Sequence, residues 1–100
     1  MPREFLDVDP RTLQVPPCRS DGADPFKLAR QISQFGASTA NMPVVEVWRC
    51  KDGELMISNG VTRATRVVQL LPGQPIRVEV TVELPDYDVS GLPMIGELLP

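Results

Sequence analysis

Alternation of apolar and polar residues predicts four strands. Residues 4–8 (EFLDV) alternate weakly, and residues 76–83 (IRVEVTVE) alternate strictly with a period of two. Residues 44–50 (VVEVWRC) and 54–58 (ELMIS) flank Asp52-Gly53, a pair typical of the tight turn in a β-hairpin. The residues predicted to line the buried face of the last strand are Ile76, Val78, Val80 and Val82.

Two further segments repeat apolar residues at helical spacing. The first, residues 25–35, follows Asp24 as N-cap and ends before Gly36. The second covers residues 61–71 and is stopped by Pro72. The predicted core residues are Leu28, Ala29, Ile32 and Phe35 in the first helix, and Val61, Ala64, Val67, Val68 and Leu71 in the second. The residues of the first helix expected to face water are Lys27, Arg30, Gln31 and Gln34.

This order of elements predicts one small α+β domain, with a mixed sheet and two main helices. Residues 1–24 supply an N-terminal strand and loop, residues 25–83 the core, and residues 84–100 an extended tail. The tail is too apolar for a free linker, so we expect it to dock on the core or on a partner, which could be a second copy of the chain. Its apolar residues include Leu92, Met94, Ile95, Leu98 and Leu99.

Charge is distributed unevenly along the 100 residues, whose net charge is −3. Acidic residues outnumber basic ones in residues 1–24 and 84–100, whereas all the charged residues in 25–35 and 60–73 are basic. Binding to duplex DNA through its backbone needs a net basic face, so the composition argues against direct DNA binding by this chain alone. This charge distribution is compatible with a small phosphorylated ligand beside the two basic helices.

Other function classes are limited by what the sequence lacks. It contains no histidine, which excludes histidine-based triads and histidine-ligated metals, and we predict no metal site. There is no signal-peptide pattern at the start and no run of roughly 18 apolar residues. We therefore expect a cytoplasmic protein without membrane contact. Cys18 and Cys50 are expected as free thiols, with a disulfide as the alternative.

Residues 58–66 (SNGVTRATR) join a predicted strand to the second helix. A helix N-terminus leaves backbone N–H groups unpaired, a glycine lets an anion approach closely, and arginine can bind phosphate through two hydrogen bonds. The predicted phosphate- or nucleotide-binding residues are Asn59, Gly60, Thr62, Arg63, Thr65 and Arg66, with Lys27 and Arg30 as accessory basic residues. The alternative is an ordinary helix start, capped by Ser58 or Asn59, with solvated arginines.

Glycine at the start of the second helix and arginine three residues later, in this order of elements, resemble the N-terminal domain of the ParB/sulfiredoxin superfamily. The resemblance spans about residues 25–80, from LARQISQFG through the DG turn and NGVTRATR to LPGQPIRVEV. It implies a sulfiredoxin-like fold and a phosphate-facing helix start at Gly60 and Arg63. It also implies a nucleotide ligand, CTP or ATP with Mg²⁺.

Two departures from the family limit what is carried over. Val61 and Thr62 stand where partition proteins have an acid and a first arginine, and Val61 also stands where sulfiredoxins have their catalytic cysteine. Sulfinic acid reduction is therefore not expected. No His, Glu or Asp lies between Ser58 and Leu71, so we predict no catalytic residue.

The leading hypothesis is a non-catalytic ParB-like module that binds a nucleotide or phosphate at Gly60–Arg66 and acts through a protein partner. One alternative is a ParB-like enzyme, either a nuclease or a nucleotide-dependent phosphotransferase or hydrolase, in which Arg63 holds phosphate. The other is a protein-interaction or dimerisation domain whose phosphate loop is vestigial.

Overall fold

A computed structural model describes residues 2–99 and shows a small α+β domain built on a four-stranded mixed sheet. The strands are β1 (Glu4–Val8), β2 (Val45–Arg49), β3 (Leu55–Asn59) and β4 (Ile76–Glu83). The helices are α1 (Pro25–Phe35), α2 (Val61–Leu70) and the short α3 (Ile95–Leu98). The four strands and both main helices therefore lie where the sequence predicts them, within one or two residues.

The sheet has the order β1-β4-β2-β3. β4 pairs antiparallel with β1 and parallel with β2, while β2 and β3 form an antiparallel hairpin. At the hairpin turn, Asp52 and Gly53 have φ angles of 62° and 78°, the left-handed conformation that favours an Asp-Gly pair. β3 and α2 together provide the crossover that the parallel pair of β2 and β4 requires.

The main core lies between α2 and one face of the sheet. The buried residues of α2 include all the predicted ones except Leu71, which is half-buried. Ile76 and Val78 of β4 are also buried as predicted, but Val82 is 38% exposed. The prediction for Val82 is wrong because the β2–β4 register shifts after Val47, which breaks the period-two pattern of β4 against the core.

The first helix is more peripheral than the sequence predicts. No residue of α1 is fully buried: Leu28 and Ile32 are half-buried, Ala29 is exposed, and Phe35 is 52% exposed. α1 packs mainly on α2, so only part of its apolar face is covered. Gln31, expected to face water, is instead half-buried on the covered side.

The outer edge of β3 is covered by segments from both ends of the chain. The Gln14 N–H donates to the Leu55 carbonyl at 3.0 Å, and the Ile57 N–H donates to the Gln14 carbonyl at 2.8 Å. Residues 13–15 in turn exchange backbone hydrogen bonds with residues 93–95. These pairings protect an edge that would otherwise present free backbone groups.

The tail packs on this same domain. Ile95 is 1% exposed and lies in the main core, while Val89 joins Cys50 and Met56 in a smaller buried cluster. Cys18 is exposed, and both cysteines are free thiols. None of the helices within residues 2–99 is long and apolar enough to cross a membrane.

Candidate functional site

Gly60 forms the junction between β3 and α2. It is the N-cap of α2 and has a φ of 118°, and the Ala64 N–H donates to its carbonyl at 2.9 Å. A Cβ atom on residue 60 would lie 2.9 Å from Arg63 Nη2 and 3.1 Å from Val45 Cγ2. Glycine is therefore favoured here by the backbone conformation, and a side chain at this position would also displace the Arg63 guanidinium.

The alternative in which Ser58 or Asn59 caps α2 is wrong, because no side chain caps this helix. The Ser58 hydroxyl donates to the Glu46 carbonyl at 3.2 Å, and the Asn59 amide donates to the Glu46 carboxylate at 2.9 Å. Asn59 still belongs to β3 and pairs with Glu46 of β2, so its side chain points to the neighbouring strand. The N-terminus of α2 lacks the side-chain cap that helices usually have.

Arg63 folds back over this junction. Its Nη2 donates to the carbonyl oxygens of Val44 at 3.1 Å and Asn59 at 3.4 Å, while its Nε has no partner. Burial lowers the pKa of Arg63, and the nearby carboxylate of Glu46 acts in the opposite direction. An arginine remains protonated in this setting, so Arg63 brings a partly desolvated positive charge to the helix start.

Arg66 is 2% exposed and fixes the loop between α1 and β2. Its Nη1 donates to the carbonyl oxygens of Gly36 at 2.8 Å and Ser38 at 2.7 Å, and its Nη2 contacts the Met42 sulfur at 3.4 Å. The guanidinium carbon lies 5.5 Å from the centre of the Phe35 ring. The alternative in which Arg66 is solvated is therefore wrong, because carbonyl groups of the loop accept hydrogen bonds that make its burial favourable.

The other predicted residues contribute less. Thr65 is buried, and its hydroxyl donates to the Val61 carbonyl of its own helix at 2.7 Å, so that hydrogen is already used. Thr62 is half-buried in the first turn of α2. Lys27 and Arg30 are exposed on α1, and neither lines the pocket that contains Arg63. Of the predicted set, the pocket brings together only Arg63 and Arg66.

This pocket, of about 430 Å³, lies between α1, the α1–β2 loop and α2. We refer to it as the arginine pocket. Its lining consists of Gln31, Phe35, Ala40, Asn41, Met42, Pro43, Arg63 and Arg66. The lining therefore combines two cations and two amides with an aromatic ring and aliphatic surface, and it contains no carboxylate.

Unpartnered polar atoms are concentrated around the arginine pocket. Among the described residues, four buried side-chain nitrogen or oxygen atoms lack a partner. Three of them, Gln31 Oε1, Arg63 Nε and Arg66 Nε, belong to residues that line the pocket. Because buried polar groups in proteins are almost always paired, these atoms have free hydrogen-bonding capacity that water, an ion or a polar ligand could use.

No family model, no curated protein and no solved structure matches the chain. The ParB/sulfiredoxin resemblance therefore stays a prediction. Function has to be inferred from the chemistry of the arginine pocket, since a fold by itself does not determine what a protein binds.

Three residues of the candidate site have positions that the sequence did not reveal. Gln31 and Phe35 line the arginine pocket, although the helical pattern placed one in water and the other in the core. Glu46 holds Asn59 and places a carboxylate near Arg63. The predicted hairpin carried a signal for Glu46, because an antiparallel hairpin brings the start of β2, where Glu46 lies, beside the end of β3, where Asn59 lies.

Proposed function

We propose that the chain is a ParB/sulfiredoxin-like module that binds a nucleotide or related phosphate compound in the arginine pocket and acts through a protein partner. The observation that supports this best is the convergence of two guanidinium groups with unpartnered Nε atoms on a pocket without carboxylates. Charge-assisted hydrogen bonds from arginine to phosphate oxygens are among the strongest available to proteins.

The apolar part of the lining favours a ligand that is more than a bare anion. Phe35, Met42 and Pro43 offer a ring and aliphatic surface beside the two arginines. A volume of about 430 Å³ also falls within the range of small-molecule sites. A nucleotide joins a flat ring to a phosphate group and so matches both halves of the lining.

We propose binding without turnover. No His, Cys, Asp or Glu belongs to the pocket lining, so the groups most often used for acid–base chemistry are not in contact with a ligand there. Glu46 lies near Arg63 but accepts a hydrogen bond from Asn59. The enzyme hypothesis would need Glu46 to leave Asn59 and reach the ligand.

A purely protein-binding function is the second candidate, and the exposed surface of α1 favours it. Phe26 is 82% exposed and Phe35 is 52% exposed, on a helix without a fully buried residue. Large exposed aromatic side chains are more frequent at interfaces than on free surfaces. A stable dimer or complex that is disrupted by Phe26→Ser, with no response to any nucleotide, would support this function over ligand binding.

The test is a thermal-shift titration with CTP, ATP, GTP and inorganic phosphate, with and without Mg²⁺. It uses the wild type, Arg63→Ala and Arg30→Ala, which removes an exposed arginine outside the pocket. A ligand at 100 times its Kd adds about 2.7 kcal/mol, and each kcal/mol raises Tm by roughly 4–8 °C in a domain of this size. We expect a ligand-induced rise in Tm of about 10 °C or more in both the wild type and Arg30→Ala.

Arg63→Ala should keep a cooperative transition and lose the ligand-induced shift. Its unliganded Tm provides the check that the variant folds. No shift in the wild type with any of these compounds at millimolar concentration would contradict the proposal.

A further inference from the structure

We infer that the arginine pocket takes a ligand of low charge, a heteroaromatic ring carrying a single phosphate, bound without a metal ion. This inference rests on the proposed function and narrows it from nucleotides in general to nucleoside monophosphates. It replaces the magnesium-bound triphosphate that the sequence resemblance implies.

The charge of the pocket sets the first limit. The lining carries two cations, Arg63 and Arg66, and no acid. A phosphate monoester carries about −1.5 to −2 charges near neutral pH, so one such group balances the two guanidinium groups. The further phosphates of a triphosphate would stay uncompensated in a partly desolvated site, which is unfavourable.

The donors available to a ligand come from two neighbouring guanidinium groups. Arg66 is 2% exposed, its Nη1 donates to two loop carbonyls and its Nη2 contacts the Met42 sulfur, which leaves Nε and one Nη2 hydrogen without a partner. Arg63 uses Nη2 for two backbone carbonyls, which leaves the N–H groups of its Nε and Nη1. This small set, on two residues one turn apart in α2, suits the oxygens of one phosphate group better than the extended chain of a triphosphate.

Magnesium would find no ligands from the protein here. Mg²⁺ is normally held by one or two carboxylates in addition to phosphate oxygens. The lining contains no carboxylate, and residues 2–99 contain no group of three His, Cys, Asp or Glu side chains placed to hold a metal ion. Glu46 is hydrogen-bonded to Asn59 and does not line the pocket. Its negative charge disfavours further phosphates near Arg63.

The remaining surface selects a flat ring. The half-exposed ring of Phe35 lines the pocket together with Met42 and Pro43. Stacking on an aromatic side chain is the common way to hold a nucleobase. Gln31 adds an unpartnered amide oxygen, which can accept a hydrogen bond from a ring or exocyclic N–H group.

Isothermal titration calorimetry of the full chain tests this inference. The probes are AMP, CMP, GMP and UMP, the corresponding triphosphates with and without Mg²⁺, the free nucleosides, and inorganic phosphate. We expect at least one monophosphate to bind about tenfold or more tightly than its magnesium triphosphate, its nucleoside or phosphate alone.

Two variants of α1 separate ring binding from phosphate binding. Phe35→Leu should weaken the preferred monophosphate by about tenfold, since loss of base stacking on an aromatic side chain typically lowers affinity by a factor of roughly 5 to 150. It should leave the weak binding of inorganic phosphate unchanged. Phe26→Leu, on the same helix and outside the pocket, serves as the matched control and should bind like the wild type.

The outcomes distinguish this inference from the function on which it rests. A magnesium triphosphate that binds more tightly than every monophosphate would overturn the inference and leave the proposed function standing. Inorganic phosphate that binds as tightly as the monophosphates, or unchanged affinity in Phe35→Leu, would overturn the role of the ring. If no phosphorylated compound binds, the proposed function fails and the inference fails with it.

Discussion

Arg66 is the best place to test how this domain is held together. Replacing it by methionine keeps an unbranched side chain of similar length beside Phe35 and Met42 but removes the hydrogen bonds to the Gly36 and Ser38 carbonyls. Hydrogen bonds from a charged group contribute about 1.5–3 kcal/mol each, so the two lost bonds amount to about 3–6 kcal/mol.

Part of that loss is recovered. Burying a guanidinium costs several kcal/mol, and methionine carries no such cost. Ser38 is exposed, so water can also replace one of the two donors. We therefore expect Arg66→Met to lower the free energy of unfolding by about 2–3 kcal/mol, or Tm by about 8–24 °C.

Urea denaturation followed by circular dichroism measures this change, with Arg30→Met as the matched control. Arg30 is an exposed arginine on α1, and its replacement should stay within about 0.5 kcal/mol of the wild type. The stability of Arg66→Lys should lie between those of the wild type and Arg66→Met, because an ammonium group cannot reproduce the planar fork of a guanidinium.

Hydrogen exchange gives a local readout of the same change. Amides of residues 36–42 should exchange faster in Arg66→Met, while those of β4 should change only as far as global stability does. If Arg66→Met unfolds within 0.5 kcal/mol of the wild type, the reasoning that this buried cation anchors the loop is refuted.

Three other predictions concern the tail, the thiols and acid stability. Ile95→Ala should lower the free energy of unfolding in urea by about 2–5 kcal/mol because Ile95 is buried in the main core. A loss as small as that expected for Met94→Ala, at an exposed position, would contradict tail docking. A thiol reagent should modify Cys18 in the native protein and Cys50 only after denaturation, since Cys50 is buried and burial raises its pKa; two fast thiols would contradict this. Hydrogen bonds from backbone N–H groups of α1 lower the pKa of the Asp24 carboxyl, so its stabilising contribution is present above its ordinary pKa near 4 and is lost as the pH falls through the lower folded value. The urea midpoint should therefore fall less in Asp24→Asn than in the wild type between pH 7 and pH 2, and equal losses would contradict this origin.

The parts of the fold that were predictable are those fixed by local signals. The Asp52-Gly53 turn defined the β2–β3 hairpin, and the apolar pattern of α2 matched its buried face. Val82 was misplaced because a register shift between β2 and β4 arises from pairing of distant segments. The depth of α1 was also not predictable: periodicity shows which face of a helix is apolar but not how much of that face its neighbours cover.

The candidate site divides in the same way. Gly60 and Arg63 stood out because a glycine and an arginine at a strand–helix junction have a local meaning. Arg66 was assigned to the ligand or the solvent, yet its partners are carbonyl groups about thirty residues earlier in the chain. Gln31 carried no distinguishing signal, because a glutamine on an amphipathic helix is equally at home in water.

The covering of β3 by two segments distant in sequence affects how the sheet is completed during folding. Residues 4–83 contain all four strands, but the outer edge of residues 13–15 is closed only when residues 93–95 pair with them. A folding intermediate in which residues 93–95 are detached therefore keeps an open edge. An unpaired edge can associate with other chains, so this intermediate is the form of the domain most prone to aggregate. Residues 93–95 thus protect the sheet against association between chains.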